Sequence, residues 1–227
     1  MSTPFRRLDH AVVFSPDAQA LFDVFAVDLD LPVVWPVFDF GGWVSGGISL
    51  GNANLEIAQV GDGPAAALAG LVFEPEGALE DALAGLSHGA PQEYCGPMPE
   101  ADGIRRAEPG SRYWTSCQVE RLGIGFFVAL CAYERALLRG PDEWARVLDA
   151  RGGGALGLTG LARIVAGVVD PDGARQRLEP LLRFGLEIVE SDRDGLQALE
   201  VTVRSPGQAR ERLAAVDLQG LEVRIAS

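Results

Sequence analysis

The stretch GGWVSGGISLGNANLEIAQV, Gly41 to Val60, reads as two strands, Trp43 to Leu50 and Ala53 to Val60, joined at Gly51-Asn52, a pair suited to the positive φ of a tight turn. Successive side chains of a strand point to opposite faces. Asn54, Glu56 and Ala58 therefore share one face, and Leu55, Ile57 and Gln59 the other. Glu56 projects a carboxylate from a strand otherwise made for a sheet. The opening LDHAVVF, Leu8 to Phe14, is a second hydrophobic strand, and the same alternation groups His10 with Val12 and Phe14. Between them the spacing of Ala20, Leu21, Val24 and Phe25 predicts a helix from Pro16 to about Val27. Leu31 to Val37 follows as an edge-like strand, because Pro32 and Pro36 remove ladder donors.

A strand carrying His10, a helix, a glycine-rich hairpin and a last strand ending in Leu55-Glu56 together form an order of elements that resembles the glyoxalase/bleomycin-resistance/dioxygenase superfamily, also called vicinal oxygen chelate proteins. The resemblance implies βαβββ units paired into a curved sheet around a cavity. It also implies a divalent metal (Fe, Mn, Ni or Zn) held by the His of the first strand and the Glu of the last, here His10 and Glu56, and a homodimer. Members usually complete the metal site from a second unit. Superposing Phe73-Glu74-Pro75 on Phe14-Ser15-Pro16 puts Ala69, or Gly70 with a one-residue shift, at the place of His10. The last strand of that unit offers Ala132 near the acidic place, with Cys131, Tyr133 and Glu134 as neighbours. Half of the expected ligand set is therefore missing.

The strand-helix signal recurs four times, at Phe14-Ser15-Pro16, Phe73-Glu74-Pro75, Val169-Asp170-Pro171 and Arg204-Ser205-Pro206. Ser or Asp at an N-cap with Pro at the first helical position starts a helix, since Pro lacks an N–H that would be unsatisfied there. The first unit spans about 6–60. After the linker Gly61 to Pro64, a second spans 66–134, with a strand from Leu68, a helix through Ala78 to Leu86 that stops near His88-Gly89, a polar loop from Gly96 to Ser111 read as an exposed connection that could act as a lid, and strands at Tyr113 to Glu120 and Gly125 to Tyr133. Residues 1–134 thus form a paired domain and 135–159 a connector with a short helix from Pro141 to Leu148. Residues 160–227 form a shorter β-α-β-β-α-β module, either a degenerate pair of the same units or ferredoxin-like. Its opening Leu161 to Val165 aligns Arg163 with His10. The fold class is α+β.

Composition narrows the function. The formal net charge of −13 disfavours nucleic acid and anionic membranes as partners. No apolar run is long enough to span a bilayer and no secretory signal opens the chain, so a soluble cytoplasmic protein is expected. All 19 basic residues are Arg, which removes Schiff-base and lysine-base chemistry. Cys95, Cys117 and Cys131 show no CxxC spacing and are expected as free thiols. His88, near a helix end, is expected to be structural.

The expected partner is a small organic molecule in the cavity. Trp43, Asn54, Trp114 and Tyr133 are candidates for contacting it, and His10 and Glu56 for chemistry. Three readings stay open: a metal-dependent lyase, isomerase or dioxygenase; a metal-free binding or sequestering protein of the bleomycin-resistance type; and a metal-free enzyme with His10 as base oriented by Glu56.

Overall fold

The computed structural model describes residues 3–59, 65–100, 103–106, 112–120, 122, 124–134 and 140–226. The linker expected at 61–64, much of the loop at 96–111 and the start of the connector at 135–139 lie outside the described residues.

In chain order the first part holds β1 (Phe5–Ser15), α1 (Ala18–Asp23), β2 (Val33–Asp39), β3 (Val44–Ser49), β4 (Asn54–Gln59), β5 (Ala67–Pro75), α2 (Leu79–Leu83), β6 (Gln92–Tyr94), β7 (Pro97–Glu100), β8 (Gly103–Arg106), β9 (Trp114–Val119) and β10 (Phe127–Tyr133). The second part holds α3 (Pro141–Ala150), β11 (Leu158–Val168), α4 (Pro171–Leu182), β12 (Leu186–Glu190), β13 (Gly195–Val203), α5 (Pro206–Ala214) and β14 (Glu222–Ile225). The fold is α+β, with a curled eight-stranded mixed sheet in the order β2-β3-β4-β1-β5-β10-β9-β6 and a second sheet in the order β12-β11-β13-β14. No helix among the described residues is long and apolar enough to cross a membrane.

Helix starts follow the predicted chemistry at two of the four places. Asp170 caps α4 by accepting from the Gly173 N–H at 3.1 Å, with Pro171 in the first turn, and Ser205-Pro206 opens α5. At Ser15-Pro16 the cap is instead Asp17, which accepts from the Ala20 N–H at 2.9 Å while Ser15 Oγ accepts from the Asp17 N–H. After Glu74-Pro75 the chain makes a turn at Gly77, φ +81°, before α2 begins at Leu79. The helix expected to run to Leu86 ends at Leu83, because Gly85 takes φ +86°, a left-handed conformation that stops a helix. His88 then bridges to Val119 instead of ending a helix.

The eight-stranded sheet is two copies of one pattern. β1 runs parallel to β4, β5 runs parallel to β10, and β1 and β5 meet antiparallel at the centre. The second sheet repeats that centre: β11 is parallel to β12, β13 is parallel to β14, and β11 and β13 are antiparallel. Even the irregularities repeat. Leu8 faces Phe73 and His10 faces Val72, so Asp9 is an extra residue in β1; Leu161 faces Val201 and Arg163 faces Glu200, so Ala162 is its counterpart in β11. Ala69 in β5 and Gln197 in β13 are extra in the same way. The C-terminal sheet thus repeats the pairing pattern of the four central strands of the large sheet, with an antiparallel β11-β13 centre.

One face of the large sheet packs through Leu55, Ile57, Leu71, Phe73, Val128 and Leu130 against Leu21, Phe22 and Phe25 of the first helical segment and against the second sheet, in one continuous apolar core. The opposite, concave face carries a separate small cluster of Val12, Val72, Ala129 and Cys131, flanked by Phe14, Phe127, Trp114 and Tyr133. Its two free edges, β2 and β6, are not joined by backbone pairing. They are brought together by an aromatic cluster of Phe40, Tyr94, Met98 and Tyr113, with Trp35, Phe38 and Trp114 packed on it. The segment expected as an exposed loop contributes the β7-β8 hairpin to this closure, and β7 packs against β2.

Candidate functional site

The extra residue in β1 builds the polar centre of the concave face. Regular alternation would send Asp9 and His10 to opposite faces, but the bulge turns both toward the cavity. His10 Nδ1 lies 2.7 Å from Asp9 Oδ2, and His10 Nε2 lies 3.1 Å from Glu56 Oε2. The Tyr133 hydroxyl, on β10, donates to Asp9 Oδ2 at 2.6 Å. Behind Asp9, Arg7 lies 3.7 Å away and is also paired with Glu74. Four groups from three strands thus form one chain, Tyr133-Asp9-His10-Glu56. Asp9 and His10 are buried, and the Glu56 side chain keeps 16% of its exposure.

The two carboxylates fix the state of the imidazole. Burial alone would lower its pKa, but the hydrogen bonds and charges of Asp9 and Glu56 outweigh burial and raise it to about 10. His10 is therefore an imidazolium at neutral pH, donating from both nitrogens. Burial pushes the Asp9 and Glu56 carboxyls up, yet His10 holds each below its ordinary value, with Tyr133 and Arg7 adding to the effect at Asp9. The Tyr133 phenol is pushed well up by burial and by the Asp9 charge, and burial also raises the Cys131 thiol.

Register defines the rest of the face. One row of partners crosses six strands: Trp35, Gly47, Glu56, Val12, Gly70, Phe127. Both glycines are overlaid by an aromatic ring. A Cβ on Gly47 would stand 2.3 Å from the Trp35 ring, and one on Gly70 would stand 2.3 Å from the Phe127 ring. Trp35 meets His10 edge-on, with ring centroids 6.5 Å apart. Among the described residues the buried Trp35 Nε1 makes no hydrogen bond, and the buried Ser45 hydroxyl on β3 helps His10 to hold the Glu56 carboxyl below its ordinary value.

Of the residues singled out from sequence, the structure brings together His10, Glu56 and Tyr133, with Asn54 beside His10 in register and Trp114 opposite Tyr133. Trp43 is placed apart from them, on the outer side of the aromatic closure. It stacks on Phe40 at 5.3 Å and is 38% exposed. Sequence alternation missed Asp9, because it assigns residue 9 to the far face. It also missed Trp35, whose strand was read only as an edge, although Gly47 opposite it was the available sign of a bulky neighbour. In the second unit, Gly70 holds the place of His10, since the extra residues Asp9 and Ala69 correspond. The place of Glu56, the partner of Val12, falls to Ala129, the partner of Val72, and not to Ala132. Ala132 points to the main-core side of the sheet.

His10 and Glu56 are the residues that could hold a metal. Among the described residues no three His, Cys, Asp or Glu side chains converge on a point that an ion could occupy. The second-unit places are apolar, and Phe127 lies over one of them. A two-donor set whose His is tied at both nitrogens does not fit a catalytic divalent cation, which takes three or more protein ligands.

No protein-family model matches the chain, and a search of curated proteins gives no match. Solved structures do match. The Y257F variant of homoprotocatechuate 2,3-dioxygenase from B. fuscum aligns with a TM-score of 0.61 and 14% identity over 96% of this chain. The H200E variant of that enzyme, in complex with HPCA, aligns with the same score and identity. Homoprotocatechuate 2,3-dioxygenase from Arthrobacter globiformis aligns at 0.62 and 14% over 96% of this chain and 72% of its own. The chain spans 63% of the length of the B. fuscum enzyme. These alignments show that the chain shares the fold of the homoprotocatechuate 2,3-dioxygenases over 96% of its length.

Proposed function

We propose that this chain binds a small organic molecule on the concave face of the eight-stranded sheet, without a catalytic metal. The observation that carries this reading is His10, held at both ring nitrogens by carboxylates in a face whose remaining ligand places are Gly70 and Ala129. A buried polar centre set in an apolar, aromatic-walled surface is the usual make-up of a small-molecule site. The dioxygenase neighbours, one of them in complex with HPCA, support small-molecule binding on this fold.

The carboxylates on both sides of His10 raise its pKa, which favours a charge-holding role over that of a base at neutral pH. Among the described residues, the Fe, Mn, Ni or Zn expected from the resemblance would have His10 and Glu56 alone to hold it.

Elemental analysis of untagged protein purified without chelator, beside His10→Ala and Glu56→Ala, tests the reading. The expected result is no stoichiometric metal and no uptake on incubation. About one equivalent of a transition metal, lost in both variants, overturns it.

A further inference from the structure

The second sheet ends in an open edge at β14. This strand lies parallel to β13 as β10 lies parallel to β5, so β14 and β10 hold like places beside an antiparallel centre. In the large sheet the outer side of β10 is covered by β9, which runs antiparallel to it. Among the described residues no strand covers the outer side of β14.

The backbone of that edge is set for pairing. The Ala226 N–H donates to the Val201 carbonyl at 2.9 Å. Alternation along the strand therefore turns the N–H and C=O groups of Glu222 and Arg224 toward β13, and those of Val223 and Ile225 outward. The Val223 and Ile225 side chains pack against the main core, and Leu221 just before them is buried. Glu222 and Arg224 are exposed and bond each other at 2.7 Å.

The side chains match a copy of themselves. Leu221-Glu222-Val223-Arg224-Ile225 runs apolar, acidic, apolar, basic, apolar. Laid antiparallel on a second copy with Val223 on the two-fold axis, Val223 meets its counterpart, Leu221 meets Ile225, and Glu222 meets Arg224 in both directions. Val223 then forms a hydrogen-bonded pair through its outward groups. Glu222 and Arg224 fall in the non-hydrogen-bonded pairs, where opposed side chains are closest and unlike charges stabilise. Edge charges of one sign would repel a copy, but these alternate and attract it. The other free edge, β12, has no such match: centred on Ile188 it sets Glu187 against Val189 and Leu186 against Glu190.

We infer that β14 is a self-association edge, to which a second copy of this chain adds its own β14 antiparallel, in the place that β9 takes in the large sheet. The two four-stranded sheets then join into one of eight strands across a two-fold axis. β14 lies in the other sheet from His10 and Glu56, so the inference does not depend on what the concave face binds. The paired strands are short, and a Kd of about 10–100 µM is expected.

Sedimentation equilibrium of the full chain from about 1 to 500 µM reads the association. Val223→Pro removes an N–H that faces away from β13, so it spares the sheet and is expected to leave the chain monomeric. Arg224→Glu and Glu222→Arg each set like charges opposite one another, and each alone is expected to associate at least about tenfold more weakly than the parent. Mixed in equal amounts, these two variants regain unlike pairs and are expected to associate as the parent does. A parent chain that stays monomeric, a mixture that does not associate, or association unchanged by Val223→Pro overturns the inference.

Discussion

Arg163 stands in the second sheet where His10 stands in the first, and it pairs with Glu187 at 3.2 Å as His10 pairs with Glu56 at 3.1 Å. The register makes the two pairs equivalent: Glu56 is the partner of Val12, and Glu187 the partner of Val165, in each case two residues beyond the basic side chain. Their surroundings differ. His10 is enclosed under the aromatic closure, whereas the Arg163 and Glu187 side chains are about two-fifths exposed, and Arg163 also bonds Glu200. The same backbone place thus supports a buried site in one sheet and a solvated ion pair in the other.

Removing each basic residue separates the two cases. His10→Ala leaves Asp9 and Glu56 buried without their shared cation and is expected to destabilise the fold by about 3–5 kcal/mol. Arg163→Ala is expected to change stability little, since water replaces the lost partner. Urea denaturation of the two variants beside the parent chain measures both.

The pH dependence of stability has two limbs. His10 has a folded pKa of about 10 against an ordinary 6.5, so its contribution is complete below about pH 6.5 and is lost as pH rises through 10. Asp9 and Glu56 are shifted down from 3.8 and 4.5, so theirs is present above those values and lost as pH falls further. Melting temperature is expected to be highest between about pH 4.5 and 6.5. In His10→Gln the decline toward alkali disappears.

With only two histidines, the titration is directly visible by NMR. The His10 ring is expected to remain protonated well above neutral pH, and Asp9→Asn is expected to lower its pKa by removing one of its two carboxylates. An unchanged titration in Asp9→Asn would contradict the Nδ1 contact.

Tyr133→Phe removes the hydroxyl that donates to the buried Asp9. A loss of about 1–3 kcal/mol is expected by denaturation, the cost of leaving a buried carboxylate short of a donor.

Gly47→Ala places a methyl against the Trp35 ring. The ring must move, and a destabilisation of about 1–3 kcal/mol is expected. In the Trp35→Leu background the same change is expected to be nearly neutral, which a double-mutant cycle reads directly.

The paired units and the His10-Glu56 pair were legible because strand alternation and the strand-helix repeats are local signals. The extra residue at position 9 was not. A bulge is decided by the partner strand, here Phe73 and Val72, and leaves no mark in the LDH sequence itself. The second-unit acidic place was misread for a related reason. The place was expected near Ala132 from the last strand alone, whereas the pairing of β10 with β5 puts Ala129 beside Val72, three residues earlier. Trp35 escaped notice because its role depends on Gly47 of the adjacent strand β3, twelve residues further along the chain.

The closure of the large sheet by Phe40, Tyr94, Tyr113 and Trp114, and not by a ninth strand, gives the cavity a seam made of side chains. Buried rings yield only by repacking together, so truncating one of them acts on the closure of the cavity while leaving every strand pairing of the sheet in place.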